Sequence, residues 1–448
     1  MKPSAYFFIL LLFPFAPVFG QRAMSLKDCL QEALSNAYSI QSQQYDNQLN
    51  SIRLNVNSSK YLPQIKARFD YFNYPFDIPV YFFPPQEGSI ISGGTAQGNY
   101  PVPLGLRHNY SLGLSLEQTL LDADFFESKK GKEALTKTNE LLEQKAEEDI
   151  IYDVGKTYIE ILKNADKQNS IEVNRRRLEK AIKIVSIRVR DKSAYQTDLE
   201  ELELNKKQLE TKSAILQAGI NKQMDYLKFL LGMDIAEDIS ISRDSIQLGF
   251  DIPDSVFLEQ NLNTQLIEQD MEAGELKIKS IQHQKLPELK AYANIMAMSQ
   301  GDAFSPFSES QYWYNPSTIG LTLEIPIMDG TKNTQEISSY RVEQQKKQLL
   351  KVQNEQFVAM SYQSLKADLE INQLVLSEKK INLELQGKIN LRKQDMFENE
   401  LIGISELMDS NALVASAEME YMDSYYDNLL VKLAVLKMAG KLKTVLLN

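Results

Sequence analysis

Four stretches of this chain alternate between apolar and polar residues with period two. In 63–74, Ile65, Ala67, Phe69 and Tyr71 share one face while Gln64, Lys66, Arg68 and Asp70 share the other. In 109–120, Tyr110, Leu112, Leu114 and Leu116 oppose Ser111, Gly113, Ser115 and Glu117. In 287–298, Leu289, Ala291, Ala293 and Ile295 oppose Lys290, Tyr292 and Asn294; in 317–327, Ile319, Leu321, Leu323 and Ile325 oppose Gly320, Thr322 and Glu324. Successive side chains of a β-strand point to opposite faces, so each run predicts a strand with one apolar and one polar side. Each is about nine to eleven residues long, enough for a tilted strand to cross a bilayer. Such strands suit either a half-buried sheet of a water-soluble domain or the wall of a membrane barrel. Aromatic clusters at the strand ends, Tyr71, Phe72, Tyr74 and Phe76 after the first and Tyr312, Trp313 and Tyr314 before the fourth, favour the barrel, whose water interfaces carry aromatic girdles. Closing a barrel takes about eight strands or more, so a chain with four must oligomerise.

The remainder reads as helix, with apolar residues recurring at spacings of three and four, as in Ile182, Val185 and Val189. The pattern predicts helices over 25–59, 124–164 and 167–231, then 255–284, 332–370 and 373–439. At ~1.5 Å per residue the longest would span on the order of 95 to 100 Å. Helices of that length have almost no globular core to bury them, so their apolar stripes must pack side by side on neighbouring helices.

The pattern is stated twice. Tyr61-Leu62-Pro63-Gln64-Ile65-Lys66-Ala67 returns as Lys285-Leu286-Pro287-Glu288-Leu289-Lys290-Ala291 at an offset of 224 residues. Leu112-Gly113-Leu114-Ser115-Leu116-Glu117 returns as Ile319-Gly320-Leu321-Thr322-Leu323-Glu324 at an offset of 207, and Leu230-Leu231-Gly232 returns as Met438-Ala439-Gly440 at 208. The extra length of the first half is confined between its two strand runs, which predicts a loop there, within 75–108. The halves are 21–232 and 255–448, joined by 233–254.

Residues 1–20 have the form of an export signal: Lys2, an apolar run from Tyr6 to Phe15, then small residues at Val18 and Gly20 ahead of Gln21. Cys29 is the only cysteine, so no intrachain disulfide is possible, and its neighbours do not form a lipidation site. A net charge of -11 argues against a nucleic-acid partner. The residues form no catalytic constellation. His108 and His283 lack metal-ligand spacing, and Gly93, Gly94 and Gly98 precede no phosphate-binding helix, so neither enzymatic activity, nor a metal, nor a cofactor is expected.

With these motifs in view, the chain resembles a TolC-type outer-membrane efflux protein over essentially its whole mature length. The resemblance rests on the Leu-Pro lead-ins to strands one and three, the Gly-Leu-Ser/Thr-Leu runs, and Asp122 and Asp329 where strand turns back to helix. Tyr195-Gln196-Thr197-Asp198-Leu199 and Gly403-Ile404-Ser405-Glu406-Leu407 resemble the family's mid-helix break, with Lys192 and Glu400 where glycine is common. The resemblance implies a mainly α fold with a transmembrane β-barrel, built from two β/α repeats per chain. It implies a homotrimer, in which a 12-stranded barrel in outer-membrane lipid continues into a long periplasmic α-helical barrel. It further implies a passive exit duct for tripartite efflux or type I secretion, with a periplasmic adaptor (membrane fusion) protein and an inner-membrane pump as partners. The segment 233–254 and the C-terminal residues would form a belt around its waist.

In such an assembly each acid facing the lumen becomes a ring of three. Lys66, Arg68, Asp70, Glu117, Lys290 and Glu324 are the candidates for the barrel lumen. The periplasmic gate is expected at helix turns near 163–168 and 370–374, with Asp166, Glu172, Asp368 and Glu370 as ring acids and Lys167 or Arg175 as cross-helix partners. The competing reading is a periplasmic coiled-coil adaptor or structural protein, which would carry one helical hairpin where this chain has two and two strand pairs besides.

Overall fold

A computed structural model describes residues 22–76, 78, 80–83, 100–103, 105–122, 124–243, 261–308, 312–399 and 401–447. The expected signal segment, Gly93, Gly94, Gly98, Glu400 and residues 244–254 of the expected linker lie outside the described residues. In chain order the elements are β1 (Arg22–Met24), α1 (Leu26–Asn36), α2 (Tyr38–Ser58), β2 (Gln64–Asn73), β3 (Val80–Phe83), β4 (Tyr100–Pro103), β5 (His108–Leu121), α3 (Asp124–Arg190) and α4 (Gln196–Leu231). There follow β6 (Ile239–Ile241), α5 (Leu262–His283), β7 (Glu288–Gly301), β8 (Trp313–Tyr314), β9 (Thr318–Glu324), α6 (Lys332–Glu398), α7 (Ile404–Met438) and α8 (Leu442–Leu447).

The chain divides into two compact units, one of 1–46, 139–268 and 349–448, the other of 47–138 and 269–348. The second holds an antiparallel sheet in the order β2-β5-β7-β9, with β8 also paired to β7. It holds the short antiparallel pair β3-β4 as well, so the segment 75–108, expected as a loop, carries strand structure of its own.

The first unit is helical. Its largest core gathers Leu30 of α1, Ile151, Val154 and Tyr158 of α3, Leu227 and Leu231 of α4, Leu433 and Leu436 of α7, and Leu442 of α8. Beside it β1 and β6 pair in parallel, and the Tyr158 hydroxyl fastens them by donating to the Ser242 carbonyl at 2.7 Å. A smaller core joins Leu178, Val185, Leu202, Phe397, Ile404 and Leu407 from α3, α4, α6 and α7.

Both halves close their helices with the repeated glycine. Gly232 and Gly440 have φ of 69° and 65°, the left-handed conformation that lets a helix end by returning its last amides to the preceding turn. Met233 N–H donates to the Lys228 carbonyl at 3.0 Å and Lys441 N–H to the Leu436 carbonyl at 2.9 Å.

Two expectations about the helices are corrected. The predicted helix 25–59 breaks at Ala37, which is extended between α1 and α2. The cause is tertiary: Gly232 packs so closely on the Asn36 carbonyl that a Cβ would come within 2.1 Å of it. More consequentially, α3 and α6 each run unbroken for 67 residues, through both places where helix turns were expected. Nothing in 163–168 or 370–374 breaks a helix, since neither stretch contains glycine or proline. The turns lie at 191–195 and 399–403 instead, in the segments that resemble a mid-helix break.

Candidate functional site

The strand register sorts the sheet residue by residue. Directly opposed residues on neighbouring strands project to the same side. Lys66 opposes Ser115, which opposes Asn294; Arg68 opposes Gly113, which opposes Met296; Asp70 opposes Ser111, which opposes Met298. Gln64 opposes Glu117 and Lys290 opposes Thr322, while Glu288 opposes Glu324. All six residues singled out as lumen candidates therefore share one face. Lys290 Nζ lies 3.1 Å from Glu288 on that face.

On the other face Phe69 opposes Leu112, Leu114 stands between Ala67 and Ile295, and Leu116 opposes Ala293 and Ile65. Its large side chains are bare: Leu114 is 50% exposed, Ile295 62%, Leu321 66% and Ile319 88%. One end of the sheet carries a ring cluster in which Tyr71 lies 5.3 Å from Tyr110 and 5.2 Å from Phe304, with its hydroxyl 2.9 Å from His108 Nδ1. At the opposite end of β2, Tyr61 meets Phe125 edge-on at 4.9 Å. β2 and β9 each leave one edge without a partner strand among the described residues.

The polar face also holds residues the alternation did not reveal. Met296 and Met298 are apolar by type, which hides their place on it. Tyr292 lies across Gly320, where a Cβ would come within 2.6 Å of its hydroxyl, and Met296 crowds Gly113 in the same way at 2.9 Å. The repeated glycine of the Gly-Leu-Ser/Thr-Leu runs thus makes room for a large side chain on β7.

The four expected gate acids are not at turns. Asp166 lies within α3 and accepts a 2.5 Å hydrogen bond from the Tyr426 hydroxyl on α7. Burial, then that bond, raises the Tyr426 pKa beyond the usual phenol range. Glu172 is held on its own helix by Arg175 at 2.7 Å and Arg176 at 3.2 Å. Asp368 and Glu370 are exposed on α6 with no ion pair among the described residues. The suggested partners go elsewhere. Lys167 bonds Asp423 at 2.5 Å, joined there by Lys163 at 2.9 Å, and Arg175 binds Glu172 and Glu179. Burial pushes the Asp423 carboxyl up, but the hydrogen bonds from Lys167 and Lys163 more than reverse this and leave its pKa low.

At the first true turn Lys192 adopts φ 61°, a left-handed conformation at the position where glycine is common in the family it resembles. Tyr195 N–H then bonds Asp198 Oδ2 at 3.3 Å and opens α4. At the second turn Leu401 N–H closes α6 on the Met396 carbonyl at 2.8 Å, and Lys393 bridges to Glu406 at 3.1 Å. Ser193 N–H closes α3 on the Arg188 carbonyl at 2.8 Å, the counterpart of the Leu401 bond at the repeat offset of 208, so the two long helices end alike.

Three helices present exposed apolar stripes. On α2, Tyr38, Tyr45, Leu49, Ile52 and Val56 recur at helical spacing; on α4, Leu204, Ile215 and Tyr226 recur every 11 residues. On α6 the stripe runs through Leu349, Met360, Ile371, Leu374, Ile381, Leu385 and Ile389, each at least 45% exposed. Among the described residues no helix is long and apolar enough to cross a membrane.

No protein-family model matches the chain, and no curated protein matches its sequence. Solved structures do match its fold. The Campylobacter jejuni CmeC outer membrane channel superposes with a TM-score of 0.73 at 12% identity, covering 93% of this chain and 86% of that one. The outer-membrane channel OprN gives 0.70 at 12% identity, covering 93% and 90%. The open state of the Neisseria gonorrhoeae MtrE outer membrane channel gives 0.69 at 14%, covering 92% and 88%. The chain therefore has the fold of these outer-membrane channels, mostly helical with one larger antiparallel sheet among the described residues.

Proposed function

We propose that three copies of this chain assemble into an outer-membrane exit duct, passive in itself, for substrates delivered from the inner membrane. The observation that carries this reading is the sheet: one exposed apolar face, one face with all six charged candidates, and two open edges. An open edge in lipid leaves backbone amides and carbonyls unsatisfied, so only a closed barrel is stable there. Three four-stranded sheets joined β2 to β9 make twelve strands, apolar outward and charged inward. The dimensions fit. β2 is ten residues long, which is ~33 Å along the strand and ~25 Å along the membrane normal at a tilt of ~40°, the height of an outer-membrane apolar band.

The helical stripes support the same assembly, since apolar rows this long are covered by another copy's helices and not by water. Their 11-residue recurrence suits neighbours that are nearly straight or wound slightly right-handed. The segment 233–254 and the C-terminal residues are assigned to a belt around the helices. The turns at 191–195 and 399–403 are assigned to the inner, gated end, where a periplasmic adaptor and an inner-membrane pump would meet the duct. Asp166, Glu172, Asp368 and Glu370 would then act along the helical wall and not at its narrowest point.

Purified full-length protein added to planar lipid bilayers should give discrete, long-lived conductance steps that depend on Lys66, Arg68 and Glu117 for ion selectivity. Efficient insertion into lipid without any conductance would overturn the duct.

A further inference from the structure

A cleft of about 240 Å³ opens between α3, α4 and α7, next to the smaller helical core. Seven polar side chains line it; Ser416 donates to Glu420, and among the described residues the other six, Asn174, Arg177, Asn205, Gln208, Lys212 and Asn411, make no side-chain hydrogen bond or ion pair. Asn174 is only 9% exposed, and its amide lines the cleft without a protein partner. A buried polar group without a partner is costly, and such groups mark places where something else binds.

Several nearby basic residues on the same helices are matched to acids: Arg175 to Glu172 and Glu179, Lys206 to Glu179, Lys207 to Glu210. Arg177 has Val173, Asn174, Lys180 and Ala181 at its helical neighbour positions, and Lys212 has Gln208, Leu209, Ile215 and Leu216. Neither has an acid within that reach, in a chain of net charge -11. The neighbouring cavity on α3, α6 and α7 is different in kind, because its acids Asp166 and Glu418 already receive hydroxyl donors from Tyr426 and Ser170.

We propose that the cleft binds a small amphiphilic organic anion, a carboxylate or sulfonate carried on a single ring. The guanidinium of Arg177 suits a two-oxygen anionic head, Lys212 adds a point charge, and the amides of Asn174 and Asn205 supply neutral donors. The apolar remainder of the wall, Leu178, Leu209, Met408 and Met419, accommodates the ring, with the methionines adapting to its outline. The cleft lies below the ~300 Å³ at which pockets for drug-sized ligands begin, which sets the one-ring limit. An occupant would tie α3, α4 and α7 together close to the helical turns. The site lies within one chain and does not depend on the duct reading.

Salicylate binding to the full-length protein in detergent, measured by isothermal titration calorimetry, tests this. One saturable site per chain is expected, weakened about tenfold or more in the Arg177→Gln/Lys212→Gln double variant and in Asn174→Leu. Lys212→Gln alone, at an exposed position, should weaken binding measurably while leaving helicity and assembly mass unchanged. Neutral salicylamide and cationic benzylamine should not compete. Absence of saturable binding, binding unchanged in the double variant, or displacement by inorganic sulfate as effective as by salicylate would each overturn the proposal.

Discussion

Replacing Leu114 by arginine puts a charge at the centre of the surface assigned to lipid. Leu114 is the middle residue of the apolar row on β5, flanked across the sheet by Ala67 and Ile295 and along the strand by Leu112 and Leu116. An arginine on the lipid face of a barrel costs ~2 to 4 kcal/mol near the midplane. That is about 30- to 700-fold in the folding equilibrium of each chain. With three copies per barrel it becomes ~6 to 12 kcal/mol per assembly, enough to remove most ordinary stability. The neighbouring Ser115→Arg places the same side chain on the opposite face, beside Lys66 and Asn294. There it remains in water and loses at most about 1 kcal/mol to like-charge repulsion. Urea unfolding of both variants in lipid vesicles, followed by tyrosine and tryptophan fluorescence, gives the comparison. Equal destabilisation, or greater damage from Ser115→Arg, would refute the assignment of faces and the barrel with it.

Three further outcomes probe the helical unit. Lys192→Gly should raise its unfolding free energy by about 0.5–1 kcal/mol in urea titrations, because glycine accepts the left-handed φ of 61° without the Cβ clash; a lower value would mean the lysine side chain holds the turn. Tyr426→Phe removes the donor to the half-buried Asp166 carboxylate and should cost about 1.5–3 kcal/mol in urea titrations, whereas no loss would show that water replaces the hydroxyl freely. Asp423 has a depressed folded pKa, so its contribution is present above the unfolded carboxyl pKa and disappears as pH falls through the folded value. Asp423→Asn should therefore lower stability at neutral pH and flatten the acid side of the stability profile, and an unchanged acid limb would show that Lys163 and Lys167 do not hold this carboxylate.

The alternating runs were readable because a strand exposed to two different environments writes both along its length. The six charged residues on the polar face could be grouped from sequence for that reason. Met296 and Met298 could not, since an apolar type on the polar side breaks the alternation. The helical turns left a weaker trace. Lys192 occupies the left-handed position that a glycine would have advertised, and equal helix quality on both sides of the turn gives periodicity no discontinuity to detect. Helices read from periodicity alone therefore met at 163–168 and 370–374, and the candidate gate acids went with them. The break at Ala37 had no local signal at all, because it is imposed by Gly232 packing on the Asn36 carbonyl from far along the chain.

The central claim, that the open sheet and the bare helical stripes are completed by two further copies, is tested most directly by the mass of the protein extracted in mild detergent. Multi-angle light scattering, corrected for bound detergent, should give three times the mass of one chain, which is 51.2 kDa for the full sequence. A stable, folded monomer under the same conditions would contradict the account, because its sheet edges and apolar stripes would then be free of any partner.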